Sequence, residues 1–167
     1  MTGRFTHAPD TQTVSHAQPT TAAGSSNAAL HQRIASSFVR QGLMQHLGAR
    51  LVSVAPGEVE IALPYSERVT QQQGGYHGGA MGAVADIAAG YAGLTAAPEG
   101  MEVATVEYKI NFLAAFHDGE LRARGHLVRA GKRLIITTAE VVHLAADGTE
   151  SPCALMQQTL AVVKQTY

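Results

Sequence analysis

The densest run of apolar and small side chains in the chain, Ala80 to Leu94, has no polar face. Its length and small-residue content predict a helix, and a helix that is apolar on every side has to be enclosed. With Asp86 and several glycines inside it, the run is too short and too interrupted to be a membrane span. The flanking chain has the two-residue period of strands. Arg50–Val54 and Glu58–Leu63 meet at Pro56-Gly57, and Val59, Ile61 and Leu63 alternate with Glu58, Glu60 and Ala62. Met101–Phe112 alternates Val106, Tyr108, Ile110 and Phe112 against Thr105, Glu107, Lys109 and Asn111. Glu120–Arg129, Arg133–Leu144 and Cys153–Val163 follow, punctuated by Asp118-Gly119, Ala130-Gly131-Lys132 and Asp147-Gly148. Ahead of all this, Ala28–Leu47 has a helical period with Leu30, Ile34, Phe38 and Leu43 along one face, stopped by Gly48. Residues 1–27 are rich in Thr, Ser, Ala, Gln and Gly and read as a flexible tail, which leaves 28–167 as one domain. Short turns make neighbouring strands antiparallel. The expected class is α+β: a curved antiparallel sheet of five to six strands wrapped around one long helix, preceded by an N-terminal helix.

Composition narrows the function. A net charge of −1 and the absence of Trp give no basic or base-stacking surface, so no nucleic-acid partner is expected. The 8 His are scattered without paired ligand spacing, so no metal site is expected, and no other resident cofactor is implied. Cys153 is the only cysteine, which rules out an intramolecular disulfide and suits a reducing compartment. The first residues lack an apolar signal segment and carry one basic residue, Arg4, so the expected location is cytoplasmic, with no membrane partner.

Chemistry concentrates at Asp86 and at the start of its helix. A carboxylate in an apolar helix is costly to bury, so a lone acid there has either a partner or a task. Ser, Thr, Asp and Asn are absent just before the helix; His77 stands at the cap, followed by Gly78 and Gly79. Backbone N–H groups there would be uncapped and unshielded, a setting for a ligand oxygen with negative charge. A glycine-rich loop that simply allows close packing is the equal alternative.

Three motifs in order carry a resemblance. They are Gly74-x-x-His77-Gly78-Gly79 with Asp86 eight residues after Gly78, then Thr105-Val-Glu-Tyr-Lys-Ile-Asn-Phe-Leu113, then Arg129-Ala-Gly-Lys-Arg-Leu134. Over about Leu43 to Lys164 the chain resembles the phenylacetate-degradation (PaaI) type of hotdog-fold acyl-CoA thioesterases. The resemblance implies a sheet wrapped around a central helix, homodimers stacked as homotetramers, and an acyl-coenzyme A substrate. It implies Asp86 as base or nucleophile, and Gln71 as the amide that orients the carbonyl or the water, with Gln72 and Gln73, one and two positions along, as alternatives for that role. His77 would hold the loop, and Thr105 would position water or else be an ordinary strand threonine. Gly79 would lie against substrate beside Gly78, while Phe112, Phe116 and His117 would line the pantetheine or acyl tunnel. Arg129, Gly131, Lys132 and Arg133 would meet the phosphates of coenzyme A, or form a solvated basic turn.

Elementary geometry adds a constraint. Thioester hydrolysis needs a base or nucleophile and a donor to the developing oxyanion. Gly78 N–H and Asp86 suit those roles, yet eight residues at 1.5 Å each separate their backbones by about 12 Å. Both cannot reach one carbon within a single chain. A site using both is shared across a two-fold dimer interface. Two alternatives stay open: a non-catalytic acyl-CoA binding or sensing protein, and a hotdog enoyl-CoA hydratase, although the strings D-x-N-P-x-H and H-F-P are absent.

Overall fold

A computed structural model describes residues 22–166. The apolar run forms α3, Gly78–Leu94. It is preceded by α1 (Ala22–Phe38), α2 (Gly42–Leu47), β1 (Arg50–Ala55) and β2 (Glu58–Pro64). It is followed by β3 (Met101–Phe112), β4 (Glu120–Ala130), β5 (Leu134–Leu144) and β6 (Glu150–Lys164). All six strands join one antiparallel sheet in the order β1-β2-β4-β5-β6-β3, which curls around α3 as the helix's uniform apolarity requires. The core is the inner strand phase (Val59, Ile61, Leu63, Leu121, Ala123, Ile135, Val141, Met156, Leu160) packed on Val84, Ala85, Ala88, Ala89 and Leu94 of the helix.

The N-terminal segment differs from the single helix expected over Ala28–Leu47. Helix α1 begins at Ala22, so residues 22–27 belong to it rather than to the tail; the rest of the expected tail, 1–21, lies outside the described residues. The helix then breaks at 39–41 before α2. That break shifts the helical phase. Ile34 and Phe38 are buried as expected, but Leu43 is 56 % exposed and Met44 takes its place in the core.

Strand β3 departs from simple alternation. Its pairing with β6 slips between Thr105 and Glu107, the mark of a bulge at Val106. Before the bulge, Thr105 stands opposite Leu160; after it, Tyr108, Ile110 and Phe112 stand opposite Gln158, Met156 and Ala154. Because β6 buries Met156, Gln158 and Leu160, Thr105 faces α3 together with Tyr108, instead of away from it as unbroken alternation would place it. The bulged Val106 side chain is 60 % exposed.

The outer sheet face is a charge lattice. Arg122 bridges Glu60 and Glu120, and Arg124 bridges Glu60, Glu140 and Glu150. Such partly solvated pairs contribute about 0–1 kcal/mol each, so they keep this face soluble more than they hold the fold. The inner face is tighter. A Cβ placed on Gly125 of β4 would lie 2.1 Å from the Ala88 carbonyl oxygen, so the backbone of α3 rests directly on this glycine. Gly125→Ala has to push the central helix away from β4. We expect a loss of about 1–3 kcal/mol in unfolding free energy, typical of an overpacked core, measured by urea denaturation at neutral pH. An unchanged midpoint would show that the helix is free to shift.

Candidate active site

Asp86 leaves α3 on the side facing β3 and β6. The Thr105 hydroxyl donates to its Oδ1 at 2.8 Å. The Gln158 side-chain amide donates to the same oxygen and lies 3.0 Å from Thr105 Oγ1. The orientation of that amide is fixed from behind, because Thr137 Oγ1 donates to Gln158 Oε1 at 3.1 Å. Gln158 and Thr137 are 1 % and 0 % exposed, so this polar chain is satisfied within the core. Burial pushes the Asp86 carboxyl above the usual carboxylate range, and the bonds from Thr105 and Gln158 pull back only part of the way. Both bonds fall on Oδ1, leaving Oδ2 for other chemistry.

Neither Gln158 nor Thr137 was singled out from the sequence. The signal was a polar residue on the inward phase of a strand: Gln158 between Met156 and Leu160, Thr137 between Ile135 and Ala139.

At the helix start, His77 does cap. Its Nδ1 accepts from Gly79 N at 2.8 Å, so the expectation of an uncapped terminus is corrected for that donor. Among the described residues the Gly78 N–H has no acceptor. Phe112 covers Gly78, its ring atoms 3.2–3.5 Å from where a Cβ on that glycine would sit. The preceding loop closes on itself: Gln71 N donates to Gly75 O and Gly74 N to Gln71 O, each at 2.9 Å. Gln71 Oε1 accepts from Gln73 N, leaving the Gln71 amide nitrogen as its remaining polar group. Gln71 is half-buried, whereas Gln72 and Gln73 are exposed. Helix α3 runs unbroken from Gly78 past Asp86, so the separation of about 12 Å holds within one chain.

The residues expected along a tunnel disperse. Phe116 stacks on His143, with ring centroids 4.1 Å apart and planes 6° apart, and its carbonyl accepts from Tyr76 N at 2.9 Å. His117 lies against Gly74 and Gly75. Phe116 and His117 thus brace the loop before α3, and neither they nor Phe112 line the cavity that opens beside Asp86. Arg129, Gly131 and Arg133 share a surface depression with Leu134 and Ile136, while Lys132 is exposed at the turn and outside its walls. A Cβ on Gly131 would meet the Leu134 carbonyl oxygen at 2.4 Å, so this tight turn requires glycine. Burial pushes the Cys153 thiol up to about 11, which makes it a core side chain and no nucleophile. Among the described residues no group of three His, Cys, Asp or Glu side chains could hold a metal ion.

The fold and motifs have counterparts among known proteins. The family model described as "Thioesterase superfamily" matches residues 73–146, a span that takes in the loop, α3 and β3 to β5. A crystal structure of a thioesterase family protein from Silicibacter pomeroyi is 37 % identical, covering 81 % of this chain and 99 % of that one with a TM-score of 0.77. The chain belongs to the thioesterase superfamily. It has the hotdog fold and is a thioester hydrolase. The PaaI protein of the E. coli phenylacetic acid degradation operon shares this fold, with a TM-score of 0.74 at 19 % identity over 84 % of this chain and 97 % of that one. Among curated relatives, the 1,4-dihydroxy-2-naphthoyl-CoA hydrolase of Listeria monocytogenes is 27 % identical over 124 residues, 74 % of this chain and 98 % of its own.

The raised Asp86 pKa predicts how the thioesterase's stability responds to pH. The folded state holds the Asp86 proton more tightly than the unfolded chain does. The contribution of this group is therefore fully present below the unfolded value, near about 3.9, and is lost as pH rises through the folded value. Asp86→Asn keeps an oxygen for Thr105 and Gln158 and removes the buried charge. It is expected to be more stable than wild type at neutral pH, with the gap shrinking toward acid, as read from urea midpoints at several pH values. A variant less stable at neutral pH would mean that the two hydrogen bonds outweigh burial.

Proposed function

We propose that this thioesterase hydrolyses an acyl-coenzyme A thioester, with Asp86 as base or nucleophile and the Gly78 N–H of the opposing subunit as oxyanion donor. The observation that carries this reading is the Asp86 carboxylate, pinned at Oδ1 by Thr105 and Gln158 and lining a cavity together with Thr105. As a general base, Asp86 takes a proton from water, and the resulting hydroxide adds to the thioester carbonyl carbon. The carbonyl oxygen gathers charge against the Gly78 N–H, then the C–S bond breaks and thiolate leaves. As a nucleophile, the same carboxylate oxygen attacks the carbon, the C–S bond breaks and thiolate leaves, and water then hydrolyses the mixed anhydride to release the free acid and restore the Asp86 carboxylate. Thr105 and Gln158 hold the carboxylate in either route. His77 holds the Gly78-Gly79 turn, and the Gln71 amide nitrogen orients the carbonyl or the water.

The dimer is argued from the same distance. A second observation supports where it forms. Strand β3 is a sheet edge of 12 residues, and both Val106 at its bulge and Tyr108 on its α3-facing side are exposed. Long apolar edges are normally covered, and pairing two β3 edges about a two-fold axis covers both. A homodimer is the unit the site needs; a dimer of dimers is the fuller assembly we propose. Arg129 and Arg133, with Lys132 on the turn above them, supply the positive charge for the phosphates of coenzyme A. The single cysteine, Cys153, stands as a free thiol and supports a reducing, cytoplasmic location.

Thiol release from a panel of acyl-CoAs tests the reaction. Asp86→Asn is expected to lose at least about 100-fold in kcat while keeping its circular dichroism spectrum, since a positioned base contributes about 10²–10⁴. In wild type, kcat/KM should fall as pH drops through a value above the ordinary carboxylate range, because the protonated acid is inactive. Full activity in Asp86→Asn overturns the mechanism, and saturable binding of every acyl-CoA without turnover moves the protein to a binding role.

Mixing two inactive variants tests the shared site. Gly78 is the first residue of α3, and His77 has φ −72° and ψ 132°, so Gly78→Pro deletes the N–H at a position whose backbone suits proline, with the Phe112 ring, 3.2 Å from the new Cβ, having to give slightly. A heterodimer of Gly78→Pro with Asp86→Asn holds one wholly intact site and one doubly broken one. Refolding an equal mixture should restore about a quarter of wild-type activity. No recovery, with heterodimers present, would place both groups in one chain.

A further inference from the structure

Another polar side chain stands on the inward phase of a strand, with a different partner. His143 of β5 pairs with Leu121 of the core and is 5 % exposed. Its Nε2 lies 3.0 Å from Asp118 Oδ1 and 3.1 Å from the Asp118 carbonyl oxygen. Both are acceptors, so this nitrogen carries a proton and donates it. The Asp118 side chain is 83 % exposed and water competes for it, so the bond to the carbonyl is the one that ties down backbone. The same imidazole carries the stacked ring of Phe116. A Cβ on Gly119 would lie 2.5 Å from Nε2, so the backbone there passes directly over the ring. The segment between β3 and β4 is thus seated on His143 at residues 116, 118 and 119. Strand β5 is a firm seat, because β4 and β6 pair with it on either side.

That segment in turn holds the loop before α3. The Phe116 carbonyl accepts from Tyr76 N at 2.9 Å. The Tyr76 hydroxyl donates to Leu63 O at 2.9 Å and to Gly119 O at 3.3 Å. Tyr76 is buried and stands two residues before Gly78, with both its N–H and its O–H bonded to the segment that rests on His143. In between, His77 N donates to Val69 O at 2.7 Å. With Tyr76 and His77 fixed, the planar peptide that carries the Gly78 N–H has little freedom to turn. We infer that His143 is a positioning residue for the hydrolysis: through Phe116 and Tyr76 it aims the Gly78 N–H at the thioester oxygen. The inference rests on the oxyanion role proposed above for Gly78 and adds to that site a residue from a separate strand. An oxyanion donor works when it lies about 2.7–3.1 Å from the oxygen, and misplacement by about 1 Å can cost about 100-fold in rate. Without the imidazole, the Asp118 carbonyl loses its partner and Phe116 its support, and the segment shifts to recover them from water.

Steady-state kinetics on the acyl-CoA that wild type turns over best supplies the test. His143→Leu is expected to lower kcat about 10-fold and to leave KM within about twofold, because an oxyanion contact is made only in the transition state. Gly78→Pro should lose about 10²–10³ in kcat. Added to Gly78→Pro, His143→Leu should cost nothing further, since no N–H is left to aim; a merely structural role would cost the same in both backgrounds. Should His143→Leu fail to fold, Phe116→Leu removes the stacked ring, keeps the carbonyl that holds Tyr76, and is expected to show the same pattern. Unchanged kcat in these variants, or a loss that repeats undiminished on Gly78→Pro, overturns the inference while the oxyanion reading stands. Full kcat in Gly78→Pro, or no turnover of any acyl-CoA by wild type, sinks that reading, and the inference falls with it.

Discussion

The carboxyl of Asp86 imposes the constraint from which much of this structure follows. An acid inside an apolar helix costs free energy unless its neighbours answer it. Here the answer comes from two strands at once, with Thr105 on β3 and Gln158 on β6 both bonding one oxygen. The third layer, Thr137 on β5, fixes the amide that does so. Three adjacent strands of the sheet are thereby tied to one point on the central helix. A carboxyl held off its normal pKa by burial, and kept from swinging by three neighbours, has the preorganisation on which the proposed role in proton transfer or attack rests.

The helix that carries Asp86 is shaped by contact as closely as by chemistry. Gly125 lets β4 reach the backbone of α3, and Phe112 lies where a side chain on Gly78 would otherwise stand. His77, at the boundary of loop and helix, satisfies one of the exposed amides and leaves the neighbouring one unpaired. The loop behind it is braced by Tyr76, Phe116 and His117 instead of by its own short hydrogen-bonded turn alone. Residues that resemblance would place against substrate are, in the single chain, the scaffold of the loop that presents the amide.

Much of this was legible in the chain. An apolar run without a polar face could only be a wrapped helix, and regular alternation with short turns could only be an antiparallel sheet. Asp86 and Gly78 stood out because each broke or punctuated a pattern, whereas Thr105 sat in regular alternation and stood out only by its place in a motif. What escaped was whatever depended on phase. The interruption at 39–41 moved the buried position from Leu43 to Met44, and no local signal at that point announced it. The slip at Val106 reversed the face of Thr105, because two-residue periodicity carries no warning of an inserted residue. Gln158 and Thr137 were visible as polar residues on inward phases, but their partner became apparent only when β6 and β5 were laid against α3. The contacts from His143 through Phe116 to Tyr76 join segments distant in the sequence, beyond the reach of any local period.

The bulge at Val106 carries one more implication. Thr105 meets Asp86 because an extra residue lies between it and the part of β3 that packs beside Met156 and Gln158. The position of the Thr105 hydroxyl is thus specified by parity as well as by identity. Straightening the strand with every residue kept would turn the hydroxyl to the opposite side of the sheet, whereas deleting Val106 would give a regular strand with Thr105 still opposite Leu160. A lineage that straightened the strand in the first way would have to find its threonine one position along.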